Sequence, residues 1–138
     1  MIGRLCYRLS MEPTSQGRPR GLTAVGVLMI LFGAAEVITG FTHEFLGIST
    51  AVGAVSTLSG SGIGALYTIA GLLILTMRRW AAAAALVCLL VVVVGRIALV
   101  VTGLFPVNSF KQTFAITAGT RIATSFAIYI GWKWRTFQ

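Results

Sequence analysis

The feature that most constrains the fold of this chain is a succession of long apolar segments. Windows of 18 or more mainly apolar residues recur, and 57% of the 138 residues are hydrophobic whereas 10% are charged. About 20 apolar residues suffice for a helix to cross the hydrocarbon core of a bilayer. A soluble domain with so few charges would lack the polar surface to cover itself. The pattern therefore predicts an all-α integral membrane protein.

Four segments are predicted to span the membrane and to pack as a four-helix bundle. Residues 1–20 are basic, contain Pro and Gly, and are expected to form a flexible tail that precedes a transmembrane domain over 21–138. Met11 is expected to serve as a natural start. The first apolar segment exceeds the about 7–15 residues of a signal-peptide core, so it is expected to be retained. The predicted spans are residues 22–42, 57–77, 81–105 and 112–132.

The distribution of Lys and Arg predicts the orientation of the bundle. Eight of these residues lie in the N-terminal tail, the turn at 78–79 and the C-terminal tail, whereas only Lys111 lies on the other side. Basic residues are retained on the cytoplasmic side of a membrane. Both termini are therefore predicted to be cytoplasmic in a multi-pass protein of the cell membrane. Residues 43–56 are predicted to form an outer connection with a helical turn.

The net charge of +8 does not by itself indicate nucleic-acid binding. Most basic residues flank apolar segments, and no basic patch alternates with exposed aromatic residues, so no nucleic-acid partner is expected. The chain has one histidine and three carboxylates, and no motif places a nucleophile beside a base. Cys6 and Cys88 lack neighbours at metal-ligand spacing. We therefore expect no enzymatic activity, no catalytic residue, no metal and no cofactor.

Two glycine stripes predict close helix packing. Gly26, Gly33 and Gly40 recur every seven residues on the first span, and small residues in such a row let another helix approach. The second span carries a similar row at residues 60–71, which includes Tyr67 as a packing residue with one hydrogen bond to donate. Because the stripes exceed what one internal contact each requires, homo-oligomerisation or assembly into a larger membrane complex is predicted.

Three charged residues lie deep within the predicted spans. At about 1.5 Å per residue, Glu36 lies about 21 Å and Arg96 about 23 Å from the cytoplasmic ends of their spans. Arg121 lies about 13 Å below the outer end of the fourth span. In a core of about 30 Å, all three fall at a similar height in the outer half. A charge in hydrocarbon is costly unless it is paired, so the three are predicted to form one buried cluster.

Polar residues near these charges complete the predicted site. On the fourth span, three hydroxyl residues share the face of Arg121, which predicts that this face points into the bundle. His43 and Glu44 lie at the predicted outer mouth, where a solvated histidine is expected. The hydroxyl residues are Thr117, Thr124 and Ser125.

Three interpretations of the cluster remain open. It is a salt bridge that fixes helix register, an outer-leaflet anion site in which the surplus arginine holds a lipid headgroup, a fatty-acid carboxylate or another small anion, or a coupling site of a proton-driven carrier. The leading hypothesis is a non-enzymatic scaffold or accessory subunit in the bilayer, whose cluster holds an anionic lipid-like ligand. The alternative is a small oligomeric proton-coupled transporter that uses Glu36.

Two short motifs resemble known membrane proteins. The sequences RPRGLT (Arg18–Thr23) and MRRWAAAAAL (Met77–Leu86) resemble a group of uncharacterised small four-span proteins of bacteria and archaea, which implies four helices and assigns no activity. The sequence AEVI (Ala35–Ile38) is similar to the first-helix glutamate region of small multidrug-resistance transporters. Two arginines within the membrane would oppose a cationic drug, so no site is transferred from either group.

Overall fold

Four long α-helices form the fold. The computed structural model describes residues 19–45, 48–49, 54–104 and 110–137. The four predicted helices are confirmed, with bounds that differ by a few residues from those expected. The helices are α1 (Arg20–Thr42), α2 (Ala54–Leu75), α3 (Arg79–Val101) and α4 (Phe110–Trp132).

Three of these helices are long and apolar enough to cross a membrane. They are Arg20–Thr42, Thr57–Leu75 and Arg79–Val101. With 23 residues, α4 is as long as α1. The mean hydropathy of α4 is lower than that of the other three helices, because α4 carries Lys111, Arg121 and several hydroxyl residues. The fourth span therefore stays a prediction, whereas the membrane character of the other three helices is confirmed.

Successive helices run antiparallel, so the bundle has two distinct ends. The turn end holds the α2–α3 turn, where Met77 has a φ of 58°. The same end holds the C-terminus, because Arg79 Nε donates a hydrogen bond of 2.9 Å to the carbonyl of Phe137. The other end, which we name the opposite end, holds the last turns of α1 and α3. Glu36 of α1 and Arg96 of α3 lie near this opposite end.

The third helix ends earlier than expected. The predicted span extends to residue 105, but α3 ends at Val101, and residues 102–104 form a turn with Gly103 at a φ of +69°. Gly103 therefore lies beyond the end of α3. Pro106 and Asn108, expected to end this span, lie outside the described residues, as does the tail over 1–18.

The glycine stripes of α1 and α2 pack against each other. A Cβ on Gly33 would lie 2.6 Å from the carbonyl oxygen of Gly64, and one on Gly71 would lie 2.7 Å from that of Gly26. Backbones in such contact leave no room for side chains. The two stripes thus complete one internal interface. Homo-oligomerisation or assembly into a larger membrane complex stays a prediction.

A short β-ladder follows α1. Strand β1 (Glu44–Phe45) pairs antiparallel with β2 (Ile48–Ser49), where the sequence suggested a helical turn. Before it, His43 ends α1 in the left-handed region with a φ of 55°, and its backbone N–H donates to the carbonyl of Thr39.

The perimeter of the bundle is rich in exposed apolar side chains. Leu31, Leu58 and Val101 are 61%, 73% and 78% exposed. Such a perimeter suits a hydrocarbon environment.

Candidate functional site

Glu36 and Arg96 form an ion pair between α1 and α3. Both residues lie about one and a half turns from the ends of their helices at the opposite end of the bundle, so the predicted match in depth brings them together. Their side chains are 29% and 11% exposed, respectively. Glu36 is the sole carboxylate within the four helices. The one carboxylate within the helices is therefore paired with Arg96, one of the two arginines that lie deep in the predicted spans.

The guanidinium of Arg96 also contacts α2 and α4. It lies over the ring of Tyr67, with 5.9 Å between Cζ and the ring centroid, a cation–π arrangement. The Tyr67 hydroxyl donates a hydrogen bond of 3.3 Å to the carbonyl of Gly119 on α4. Gly119 itself faces Arg96, and a Cβ there would overlap the guanidinium. All four helices therefore meet around the Arg96 side chain.

The pair is not fully satisfied by its neighbours. Within the described part of the chain, Glu36 Oε2 and Arg96 Nε are buried and have no hydrogen-bond partner. A buried ion pair offsets its desolvation cost only when its remaining polar atoms are also hydrogen-bonded. The geometry is thus that of a charged centre with free hydrogen-bonding capacity, rather than of a closed structural bridge.

Arg121 does not join this pair, contrary to the predicted three-residue cluster. Its side chain is exposed, and among the described residues no ion pair to it is found. The physical reason is rotation about the helix axis. Arg121 is two residues from the buried Ala123, which is about 200° around an α-helix and places it on nearly the opposite face. Equal depth in the membrane therefore did not imply contact.

The predicted hydroxyl stripe of α4 is likewise exposed rather than inward-facing. Each hydroxyl donates to the carbonyl four residues earlier in the same helix, over 2.7 Å for Thr117, 2.9 Å for Thr124 and 2.8 Å for Ser125. A hydroxyl bonded in this way needs no partner from another helix. This stripe could not indicate which face of α4 points inward.

Arg96 and Arg121 are nevertheless brought to one groove between α3 and α4. We name it the upper groove; it lies near the opposite end of the bundle and has a volume of about 300 Å³. Two arginines and two threonines share its lining with aliphatic side chains. The lining residues are Arg96, Ile97, Val100, Val101, Ile116, Thr117, Thr120 and Arg121. An arginine fork is suited to bind a carboxylate or phosphate.

The two residues of the predicted outer mouth differ in how far the structure describes them. His43 Nε2 lies 3.4 Å from Thr57 Oγ1, while its buried Nδ1 has no hydrogen-bond partner among the described residues. Glu44 lies in β1, and its side chain is outside the described set. His43 therefore serves to end α1 beside the first turns of α2, apart from the upper groove.

Sequence reasoning missed the contribution of Gly119. The residue is the point at which α4 comes close enough for its backbone to touch Arg96 and Tyr67. A glycine inside an otherwise helical pattern signals a close approach, and Gly119 stands two residues before Arg121 in such a pattern. The signal was present, but it does not say which helix approaches.

The fold and its apolar perimeter define this chain as a helical membrane protein. Three helices have the length and composition of membrane spans. No protein-family model matches the chain, and no curated protein or solved structure is significantly similar to it.

Proposed function

We propose that this chain is a non-enzymatic membrane protein, a scaffold or accessory subunit, whose upper groove binds an anionic ligand through Arg121. The proposal rests on a difference in ion pairing between the two arginines of the upper groove. Arg96 is paired with Glu36, whereas Arg121 is exposed and has no ion pair within the described residues. The four helices offer no second carboxylate, so its counter-charge comes from outside them.

The chemistry of the groove supports an anion over a cation or a neutral ligand. Arg121 supplies a planar fork of donors, whereas the hydroxyls of Thr117 and Thr120 in the same groove donate to carbonyls of their own helix. An uncompensated arginine within the hydrocarbon region is costly, roughly 2.5–3.5 kcal/mol on insertion scales. A carboxylate or phosphate would remove much of that cost. A non-enzymatic role is supported by the position of the single histidine, His43, outside the groove.

Native mass spectrometry from mild detergent tests the proposal. We expect the wild type to carry an adduct when an anionic lipid is added, and Arg121→Gln to lose it. Lys111→Gln is the matched control, because it removes the same charge from an exposed position of α4 that does not line the groove. Arg121→Lys should bind more weakly than the wild type, since an ammonium lacks the planar fork.

Two results would refute this function. One is an adduct that survives in Arg121→Gln at the wild-type level. The other is equal loss of the adduct in Lys111→Gln, which would mean that net charge alone attracts the anion. Thermal unfolding of the same samples supplies an independent readout, because a ligand that binds only the folded state raises the melting temperature.

We further propose that α4 crosses the membrane and that both termini are cytoplasmic. Support comes from the equal length of α4 and its neighbours and from the location of Arg78, Arg79 and Lys133 at the turn end. The test uses single cysteines in a variant without Cys6 and Cys88. A membrane-impermeant maleimide should label Lys111→Cys from outside intact cells and should not label Arg135→Cys. Labelling of both sites would contradict this topology.

The transporter alternative has one supporting observation, the buried Glu36 Oε2 without a hydrogen-bond partner among the described residues. A coupling acid must release Arg96 during each cycle. Proton flux into proteoliposomes that is abolished in Glu36→Gln, with folding intact, would favour the transporter over the binding protein.

A further inference from the structure

A second groove continues the upper groove towards the turn end. We name it the lower groove; its volume is about 390 Å³, and it too lies between α3 and α4. Thr124 is its one polar residue, and the hydroxyl of Thr124 is already bonded to its own helix. Its lining residues are Leu86, Val87, Leu89, Leu90, Val93, Thr124 and Ala127. The lower groove is therefore apolar where the upper groove carries charge.

The two grooves lie on the same side of the α3–α4 contact. On α3, Val93 and Val100 are seven residues apart, and on α4, Thr120 and Thr124 are four apart, which are spacings of residues on one helical face. Val93 and Thr124 line the lower groove, while Val100 and Thr120 line the upper one. The two grooves share no lining residue but are aligned along the α3–α4 contact, and together they form a depression with the arginines at one end and an apolar lining at the other.

The length of this depression corresponds to one lipid chain. From Arg96 to Leu86 there are ten residues, or about 15 Å along the helix. Half of a hydrocarbon core of about 30 Å is the same length. An acyl chain that extended from the level of the arginines towards the turn end would lie along the lower groove and would cross the midplane of the core.

We infer that the ligand of the upper groove is an anionic membrane lipid whose acyl chain occupies the lower groove. This inference rests on the proposed anion binding by Arg121 and adds the chemical class and orientation of the ligand. Charge complementarity selects the anionic headgroup, and the apolar lining selects the chain. Lateral access from the bilayer is open because the flanking residues Val87 and Leu90 are 59% and 63% exposed.

Photo-crosslinking tests the position of the chain. The probe is a long-chain fatty acid with a diazirine near its methyl end, and the comparator is the alcohol of the same chain. Both are added to the full chain in detergent, irradiated, and mapped by peptide mass spectrometry. We expect the acid to label residues 86–93 and 124–127 roughly tenfold or more above the alcohol, the factor set by a charged hydrogen bond. Arg121→Gln should reduce labelling by the acid to the level of the alcohol.

A variant that fills the lower groove provides a second readout. Ala127→Phe should displace the chain and abolish labelling there, while Ala115→Phe, at an exposed position of α4 that lines neither groove, should leave it unchanged. Because Ala127 also packs against the core, Thr124→Phe repeats the test from an exposed position.

The outcomes separate this inference from the function on which it rests. Labelling by the acid that falls on other faces, such as around Leu31, while Arg121→Gln still loses the native adduct, would overturn the chain position and leave anion binding intact. Equal labelling by acid and alcohol, together with an adduct that persists in Arg121→Gln, would overturn both. Labelling confined to the lower groove and dependent on Arg121 would establish the inference.

Discussion

Gly119 on α4 lies directly against the guanidinium of Arg96 on α3, at a distance that no Cβ could occupy. This contact joins α4 to the ion pair of Arg96 with Glu36, and the hydrogen bond from Tyr67 to the Gly119 carbonyl reinforces it. The charged centre therefore depends on the absence of a side chain on a helix that contributes no charge to the ion pair.

Replacing Gly119 by Ala should destabilise the bundle. The added methyl group must displace Arg96 from its position between Glu36 and Tyr67, at a cost of about 1–3 kcal/mol for overpacking. Gly131→Ala is the matched control on α4, because nothing lies within 4 Å of a Cβ there. Replacement of an unhindered helical glycine should stabilise by about 0.5–1 kcal/mol. Reversible unfolding in detergent measures both, and equal effects would contradict the contact.

Removal of the charge on Glu36 should cost more than removal of the whole ion pair. Glu36→Gln leaves Arg96 buried and uncompensated, for which we expect a loss on the order of 2–4 kcal/mol. The double variant Glu36→Gln with Arg96→Met should recover much of it. A double-mutant cycle on unfolding free energies gives the coupling energy. A cycle with no coupling would show that the ion pair does not contribute to stability.

Gly33→Ala should separate α1 from α2. Its Cβ would approach both the Gly64 carbonyl oxygen and the Thr68 backbone nitrogen to 2.6 Å. Because backbone atoms cannot turn aside as a side chain can, we expect a loss of about 1–3 kcal/mol. Gly62→Ala, on α2 with open space around it, should be neutral or slightly stabilising. A decrease in melting temperature for Gly62→Ala as large as that for Gly33→Ala would argue against the close packing of α1 on α2.

The C-terminus should detach from the turn end when Phe137 is shortened. Phe137 is fully buried, and its carbonyl accepts the hydrogen bond from Arg79. Phe137→Ala should cost roughly 3 kcal/mol through lost burial, and Arg79→Gln about 1 kcal/mol through the lost hydrogen bond. Limited proteolysis should then cleave near Trp134 sooner. Arg78→Gln, the adjacent exposed arginine, is the control and should leave the cleavage rate unchanged.

The ion pair and the position of Arg121 show how much of the site could be predicted from sequence patterns. Depth along each span could be counted at a fixed rise per residue, and it matched Glu36 with Arg96. The side of each helix that faces the bundle interior could not be derived in this way. Polar residues such as Thr117 donate hydrogen bonds to their own helix and can then lie on either an inward or an outward face. The same ambiguity left open whether the glycines of α1 would meet α2 or another chain.

Local physical chemistry determined the helices of this protein, and tertiary packing determined its groove. The sequence by itself predicted four membrane-spanning helices, of which three have the length and apolar composition of a span, and the depth of each embedded charge. These follow from residue hydropathy and from a fixed rise per residue, both of which are properties of one segment. Only the tertiary structure decided that the two glycine stripes pack together, that Arg96 binds Glu36, and that Arg121 lines an open groove. Those outcomes depend on the rotation of each helix about its axis, which is set by the contacts of all four helices at once.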